Sequence, residues 1–435
     1  MGSLADGREQ AWKEPHDLRH AGGGGRQQPR LSSVCMPRKL QEGAVTLPQA
    51  EQERPDVAPP DDLRSRANGL RLALVLWNGN VGGAEMLKAM LAREWRTWGV
   101  EASVVFVTSG TPLEKRLERD GVPHHSLGMS RGRDAVLHPR RLARAVSTAG
   151  PDGALLADSG FIAAALRAGG YRGRIVGVEH GKLLTARGLP PFRRLKDNFE
   201  RRLGARFRAV DVGVSDFMVG EMQRHPHAPF VCRIYNGVDT KLFTPREKAV
   251  TTGSSTSIVV GSAARLVPGK GIEHLLRAVA QLRDRNVRVE IAGDGPQRQQ
   301  LVGLAEQLGV QDVVSFRGTI QAMPEFWRTC DLAVVPSDTF VESFSMATLE
   351  AMACGVPVIA TRNGGIPEVL ADGTCGTLVP PGDPAALAAA IRSYATDPNL
   401  RRRHAEAARE RASLSFNVET TSAEYLKLFA TEASA

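Results

Sequence analysis

"IVVGSAARLVPGKGIEHLLRAVAQLRDRNVRVEIAGDGP", Ile258 to Pro296, decides the fold. A short β-rich run ends in glycine and small residues, a loop with two cations follows, and an apolar-periodic helical stretch leads into a second β-rich run. A strand, a helix of ten to fifteen residues and another strand make a βαβ unit, whose crossover requires parallel strands. Downstream the pattern continues through "VVSFRG", "LAVVPS", "TLEAMACG", "VPVIAT" and "TLVPP". Immediately upstream lies "IYNGVDTKLFTPREKAVTTGSSTS", a polar segment ending at Ser257. Before that the alternation is already present, in "RLALVLW", "AEMLKAMLAREWRTWG", "EASVVFVT", "GALLAD", "RIVGVEH" and "AVDVGVS". The pattern therefore runs twice.

Two doubly wound α/β domains follow from this repetition, each with its parallel sheet covered on both faces. The expected organisation is a Rossmann-like domain over 69–245, a linker over 246–257, a second Rossmann-like domain over 258–415, and a C-terminal helix within 416–435 crossing back onto the first domain. Residues 1–68, with "AGGGGRQQPR" and "EQERPDVAPPDD", lack apolar periodicity and read as a disordered or over-extended tail.

With 435 residues, 42% of them hydrophobic, the chain is long enough for two such cores. About ten basic and about ten acidic side chains cancel within the first 68 residues, so the net charge of +9 sits on the folded part. That balance suits anionic ligands such as nucleotide phosphates, or an acidic membrane face. The five cysteines, Cys35, Cys232, Cys330, Cys354 and Cys375, have neither CxxC spacing nor histidines at zinc-ligand intervals, and read as reduced thiols. No apolar run reaches the roughly 18 residues of a membrane span and no signal pattern opens the chain, so a cytoplasmic location is expected, peripheral at most to the inner face of the membrane.

Ligands of parallel sheets bind beyond the carboxyl ends of the strands, where loops and helix N-termini aim amides at anions. After the first strand comes "NGNVGGAEM", in which Gly82 and Gly83 permit positive φ and close backbone approach; a tight turn with nothing bound is the alternative. In the second domain Arg265 and Lys270, separated by a Pro-Gly turn, can clamp a diphosphate, against the alternative of solvated surface charge. "IAGDGP" ends a strand at Gly293 and Gly295, where a flat nucleobase could lie on backbone. His180 ends a strand of the first domain.

"VESFSMATLEAMACGVPVIATRNGGIPEVL", Val341 to Leu370, places Glu342 in a loop and Glu350 on the helix that starts near Ser345. The amides of Ser343, Phe344, Ser345 and Met346 sit at that helix start, suited to phosphate. Were residues 342–350 all helical, the two Cα atoms would stand about 12 Å apart along the axis. A hydrolase wants its carboxyls about 5 to 9.5 Å apart and facing one bond. The spacing thus favours two separate hydroxyl-binding tasks.

Taken together, "GGAE", the "EH" at 179–180, "VSDFMVGEM", "IYNGVDTKLFTP", "ARLVPGKG", "GDGP", the Glu342/Glu350 pair and "NGGIPEVL" closely resemble the retaining, nucleotide-sugar-dependent glycosyltransferases of family 4, over nearly all of residues 70–430. The resemblance implies the GT-B fold, two Rossmann-like domains facing across a cleft. It implies that Arg265 and Lys270 hold the donor diphosphate, Glu350 the ribose and Glu342 the transferred sugar. Gly83 would lie beside the donor phosphate and His180 near the reacting carbon. It also implies a nucleotide-sugar donor as co-substrate, a hydroxyl acceptor (small molecule, lipid or growing glycan), no cofactor and no metal. The absence of any Asp-x-Asp agrees with protein cations taking a divalent ion's place. Front-face retention, with the departing phosphate taking the acceptor's proton, is the mechanism so implied. Ser343 and Ser345 depart from the glycine or proline often found there.

"PPFRRLKDNFERRLGARFR", Pro190 to Arg208, gathers Phe192, Leu195, Phe199 and Leu203 on one helix face among basic residues. It reads either as a core helix or as a membrane-surface helix over 190–208 for a lipid-linked acceptor. Nucleic acid is not an expected partner, since no recognised module or aromatic interleaving is present. Two other readings keep the nucleotide-sugar clamp: an epimerase or phosphorylase of the same fold, and a non-catalytic scaffold.

Overall fold

The computed structural model describes residues 61–77, 82–129, 132–157, 160–181, 191–246, 257–282 and 286–430, and the side chains of 132–133 and 191–194 lie outside that description. Residues 1–60 of the expected tail, 247–256 of the expected linker, and 78–81 of the first glycine loop fall outside it as well.

Within the expected tail, helix α1, Asp61–Ala67, puts Leu63 and Ala67 into the apolar core. The first half then runs β1 (Arg71–Leu76), α2 (Gly83–Thr97), β2 (Glu101–Phe106), α3 (Pro112–Arg119), β3 (His124–Ser126), α4 (Gly132–Leu137) and α5 (Pro139–Ala149). It continues with β4 (Gly153–Ala157), α6 (Gly160–Ala168), β5 (Arg174–Glu179), α7 (Pro191–Ala205), β6 (Val210–Gly213), α8 (Asp216–Met222) and β7 (Phe230–Arg233). The second half runs β8 (Ile258–Ala263), α9 (Ile272–Ala280), β9 (Val287–Ala292), α10 (Arg298–Gln307), β10 (Val314–Gly318), α11 (Met323–Thr329) and β11 (Leu332–Val335). After it come α12 (Met346–Ala353), β12 (Val358–Thr361), α13 (Ile366–Val369), β13 (Thr377–Val379), α14 (Pro384–Thr396), α15 (Pro398–Ser415) and α16 (Val418–Ala430).

All registered strand pairs are parallel, in two sheets of order β3-β2-β1-β4-β5-β6-β7 and β10-β9-β8-β11-β12-β13. Central strands such as β1, β4, β11 and β12 are buried almost throughout, because helices cover both faces. In each sheet the order reverses beside the first strand, between β1 and β4 and between β8 and β11. Crevices open at such switch points, outside the strands' carboxyl ends.

The halves are held together by apolar and polar contacts. Tyr235, Phe344 and Phe416 pack as a trio with ring centroids 5.1 to 5.7 Å apart. The Glu368 carboxylate accepts from the amide of Asp216 at 2.9 Å and from the Tyr235 hydroxyl at 2.6 Å, capping α8 from the other half. The final helix α16 lies on α2, where the Trp95 Nε1–H donates to the Ser422 carbonyl at 2.9 Å and Phe429 meets the Trp95 ring edge-on.

Candidate active site

A cleft of about 710 Å³ opens at the carboxyl ends of both sheets, lined on one side by residues after β1 and β5 and on the other by the loops after β8 and β11. Glu342 and Lys270 meet on the second wall. The Lys270 ammonium lies 2.7 Å from the Glu342 carboxylate and 3.7 Å from the centroid of the Phe340 ring, so ion pair and cation–π contact hold it together. Glu342 is 8% exposed and also accepts from the Ser337 hydroxyl at 2.7 Å. Arg265 lines the same wall, exposed, with no ion-pair partner among the described residues.

Asn363, which the sequence reading did not single out, staples the loop that carries Glu342. Its amide donates to the carbonyls of Ser337, Asp338 and Phe340 at 2.8 to 3.2 Å, while its Oδ1 accepts from the Glu342 amide at 3.4 Å. Gly271 has φ +70, and a Cβ there would stand 1.9 Å from the Pro336 carbonyl, which explains the glycine after Lys270. Preorganisation of this wall therefore comes from backbone contacts far apart in sequence.

Helix α12 starts where expected, with Ser345 as its N-cap and the Ser345 hydroxyl accepting from the Thr348 amide. Residues 342–345 are not helical, so the all-helical spacing of the two glutamates does not hold. Glu350 lies on α12, as the sequence leads one to expect. It is absent from the cleft lining, and its carboxylate accepts from the indole N–H of fully buried Trp327 at 3.2 Å. Burial pushes the Glu350 carboxyl up to about 7, against the lowering effect of the Trp327 hydrogen bond. Trp327 sits on α11, and no local pattern links it to Glu350.

Across the cleft stand Gly83 and His180. The Ser343 hydroxyl donates to the His180 carbonyl at 2.5 Å, and the Ser215 hydroxyl donates to the Ser343 carbonyl at 2.7 Å. The hydroxyl that distinguishes Ser343 from glycine thus ties the two walls. Behind His180, Glu179 accepts from the Gly181 amide at 3.2 Å and from Arg201 of α7 at 2.9 Å. Burial, and then the Lys88 charge, hold the His180 imidazole well below its ordinary pKa. Asn236 and Ser262 line the cleft, and their buried Oδ1 and Oγ have no hydrogen-bond partner among the described residues.

The expected use of positive φ at Gly82 and Gly83 needs correction. Gly82 has φ −120, and Gly83 is not among the positive-φ residues; a Cβ on Gly83 would stand 2.6 Å from Met346 Cγ, so close approach of the facing wall explains that glycine. Gly293 and Gly295 are packed by protein, with added Cβ atoms 1.9 and 2.4 Å from the carbonyls of Ala264 and Leu266. Phe344 reaches the cleft, yet its ring is buried in the aromatic trio and anchors the loop. Among the described residues one trio, Glu273, His274 and Asp338, has ligand-type atoms within 4.8 Å of one another, with His274 and Asp338 already hydrogen-bonded at 2.9 Å.

Comparison with known proteins gives this geometry a lineage. The family described as Glycosyl transferases group 1 matches residues 244–411, and that described as Glycosyltransferase Family 4 matches 81–242. The chain belongs to glycosyltransferase family 4. It is 30% identical over 269 residues to N-acetyl-alpha-D-glucosaminyl L-malate synthase of Bacillus anthracis, covering 60% of this chain and 68% of that protein. It is 32% identical over 220 residues to MMP alpha-(1->4)-mannosyltransferase of Mycolicibacterium hassiacum, covering 50% of each. The chain spans about half the length of the first curated relatives it matches. Among solved structures, HepE of Anabaena in complex with UDP-glucose superposes with TM-score 0.68 at 25% identity, over 82% of this chain and 98% of that one. The architecture is accordingly GT-B. In this family 4 chain Gly83 and His180 come from one matched region, and Arg265, Lys270, Glu342 and Glu350 from the other.

Proposed function

We propose that the protein transfers a sugar, with retention of configuration, from a nucleotide-sugar donor in the cleft to an acceptor hydroxyl. The observation that carries this reading is the Lys270–Glu342 pair beside Arg265, set opposite Gly83 and His180 across a cleft large enough for a nucleotide sugar. Arg265, Lys270 and the first amides of α12 take the diphosphate; Glu342 takes sugar hydroxyls and Glu350 the ribose. As the bond from the anomeric carbon to the diphosphate oxygen breaks, negative charge grows on that oxygen, and fixed cations and amides stabilise it. The acceptor oxygen bonds to the same carbon and its proton passes to the leaving diphosphate. Protein cations fill the place of a divalent ion in this scheme, so no metal is required. That the HepE neighbour holds UDP-glucose supports the donor class.

The test is thermal denaturation of the full chain with UDP, GDP, ADP and dTDP sugars, with and without EDTA. A donor at 100 times its dissociation constant adds about 2.7 kcal/mol, a rise of a few degrees for a protein of this size. Stabilisation by one nucleotide class that survives EDTA is expected, followed by net release of nucleoside diphosphate. Sugar isomerisation without net donor consumption would indicate the epimerase alternative instead. A folded sample that no donor stabilises would sink the reading.

The acceptor side carries a second part of the proposal, contact with an acidic lipid surface. Leu195 and Phe199 on α7 are 73% and 60% exposed, so the core-helix reading fails for these two; α7 instead buries Glu200, Gly204 and Ala205, with Gly204 against α6. Val136 and Leu137 on α4 are exposed too, and both helices pack against α6. Exposed Lys196 and Arg202 accompany this apolar pair, the combination that favours an anionic interface. No helix among the described residues is long and apolar enough to cross a membrane. Co-flotation with phosphatidylglycerol vesicles, and not with phosphatidylcholine alone, is expected, and Leu195→Ser/Phe199→Ser should abolish it while nucleotide binding is kept. Unchanged flotation of the double variant would remove this part.

A further inference from the structure

Lys88 is a buried cation to which neither motif nor proposed chemistry assigns a task. It lies on α2 among Leu87, Ala89, Leu91 and Ala92, and is 1% exposed. A lysine so placed is costly unless its ammonium is satisfied, and lysine is among the residues least often found fully buried. Its Nζ lies 3.1 Å from Nε2 of His180, the cleft residue whose carbonyl is held by Ser343. His180 is therefore held at two points, its ring by α2 and its main-chain carbonyl by the opposite wall.

We infer that Lys88 is a positioning residue that fixes His180 as a neutral imidazole with its proton on Nδ1, a hydrogen-bond donor that cannot serve as a base. An ammonium carries donors and no acceptor, so the ring nitrogen facing it must supply the lone pair. A neutral ring with Nε2 accepting has its one N–H at Nδ1. Burial and the neighbouring charge both oppose a second proton, which agrees with the direction of the His180 shift.

The inference rests on the proposed sugar transfer and narrows it. With the Nε2 lone pair occupied and Nδ1 protonated, His180 has no site for the acceptor's proton. The proton is left to the departing diphosphate, as front-face transfer requires. The ring so fixed is a donor and not a base.

The experiment is long-range 1H–15N NMR on the full chain labelled at histidine, with the His180 signals assigned by comparison with His180→Asn. The wild type is expected to show protonated Nδ1 and unprotonated Nε2 at neutral pH. Lys88→Met, which keeps the apolar stem, should lose this preference and release nucleoside diphosphate from a bound donor roughly 10- to 100-fold more slowly, the effect of losing one charge-assisted hydrogen bond. Nucleotide affinity should stay within about twofold, since the nucleotide sites lie on the other wall. Lys88→Arg should keep the tautomer and most of the rate. A wild-type His180 protonated at Nε2 overturns the inference, as does a folded Lys88→Met protein with the tautomer retained and full turnover. Should Lys88→Met not fold, the wild-type spectrum and Lys88→Arg still decide. A protein that binds no nucleotide sugar would end the transfer reading while leaving the tautomer result intact.

Discussion

Replacing Lys270 by alanine is expected to raise the barrier to sugar transfer by about 2 to 4 kcal/mol, a rate loss of roughly 30- to 1,000-fold at saturating donor. The size follows from removing one preorganised charge aimed at the oxygen where negative charge grows. Two further consequences come from the geometry. The Glu342 carboxylate is nearly buried and loses the cation 2.7 Å away, keeping the Ser337 hydroxyl. A buried carboxylate stripped of its partner destabilises a fold by up to about 3 to 5 kcal/mol, so Lys270→Ala alone should also melt earlier. The double variant Lys270→Ala/Glu342→Gln separates the effects, because a neutral amide at 342 tolerates the missing cation. The double variant should regain melting temperature and no turnover. Recovery of turnover would mean that Lys270 serves only to hold Glu342, and full turnover in the single variant would end the clamp assignment.

How far this site could be read without coordinates depends on the range of the contacts. Strand ends, loop cations and the start of α12 are local features, and the alternation of β-rich and helical segments puts Arg265, Lys270, Glu342 and His180 at carboxyl ends of parallel strands. The cleft does bring those four together. Partners that sit far away in sequence stayed hidden: Trp327 for Glu350, Asn363 for the loop carrying Glu342, and Lys88 for His180. For Lys88 a signal existed, a lone lysine on the side of α2 that also carries Leu87 and Leu91, and it is easily taken for a surface residue at the edge of the stripe. Glycine was legible as a need for close approach, but its neighbour was not: Gly83 makes room for Met346 and Gly293 for the Ala264 carbonyl. Periodicity shows that α7 has an apolar face; what covers that face is tertiary information, and Leu195 and Phe199 prove exposed.

Stability and nucleotide affinity should both change with pH through Glu350, in opposite directions. Its carboxyl stands at about 7 in the folded protein against an ordinary value of 4.5, because burial disfavours the charged form more than the Trp327 N–H helps it. The folded state thus binds this proton more tightly than the unfolded chain. The stabilisation is fully present below about pH 4.5 and is lost as pH rises through 7, amounting to about 3 kcal/mol. Glu350→Gln, neutral at every pH and still able to accept from Trp327, should remove that slope and melt several degrees higher than wild type at pH 8. Ribose hydroxyls donate, and they donate best to an ionised carboxylate. In the wild type, nucleoside diphosphate should therefore bind more tightly as pH rises from 6 to 8, beyond any change seen in Glu350→Gln. The variant at pH 8 should bind roughly tenfold more weakly, the loss of about 1.5 kcal/mol for a charge-assisted hydrogen bond. Melting curves and titration calorimetry of both proteins between pH 5 and 8 measure the two slopes. If the melting temperatures run parallel, Glu350 is already ionised in the free protein; if only the affinities run parallel, its carboxylate does not face the ribose.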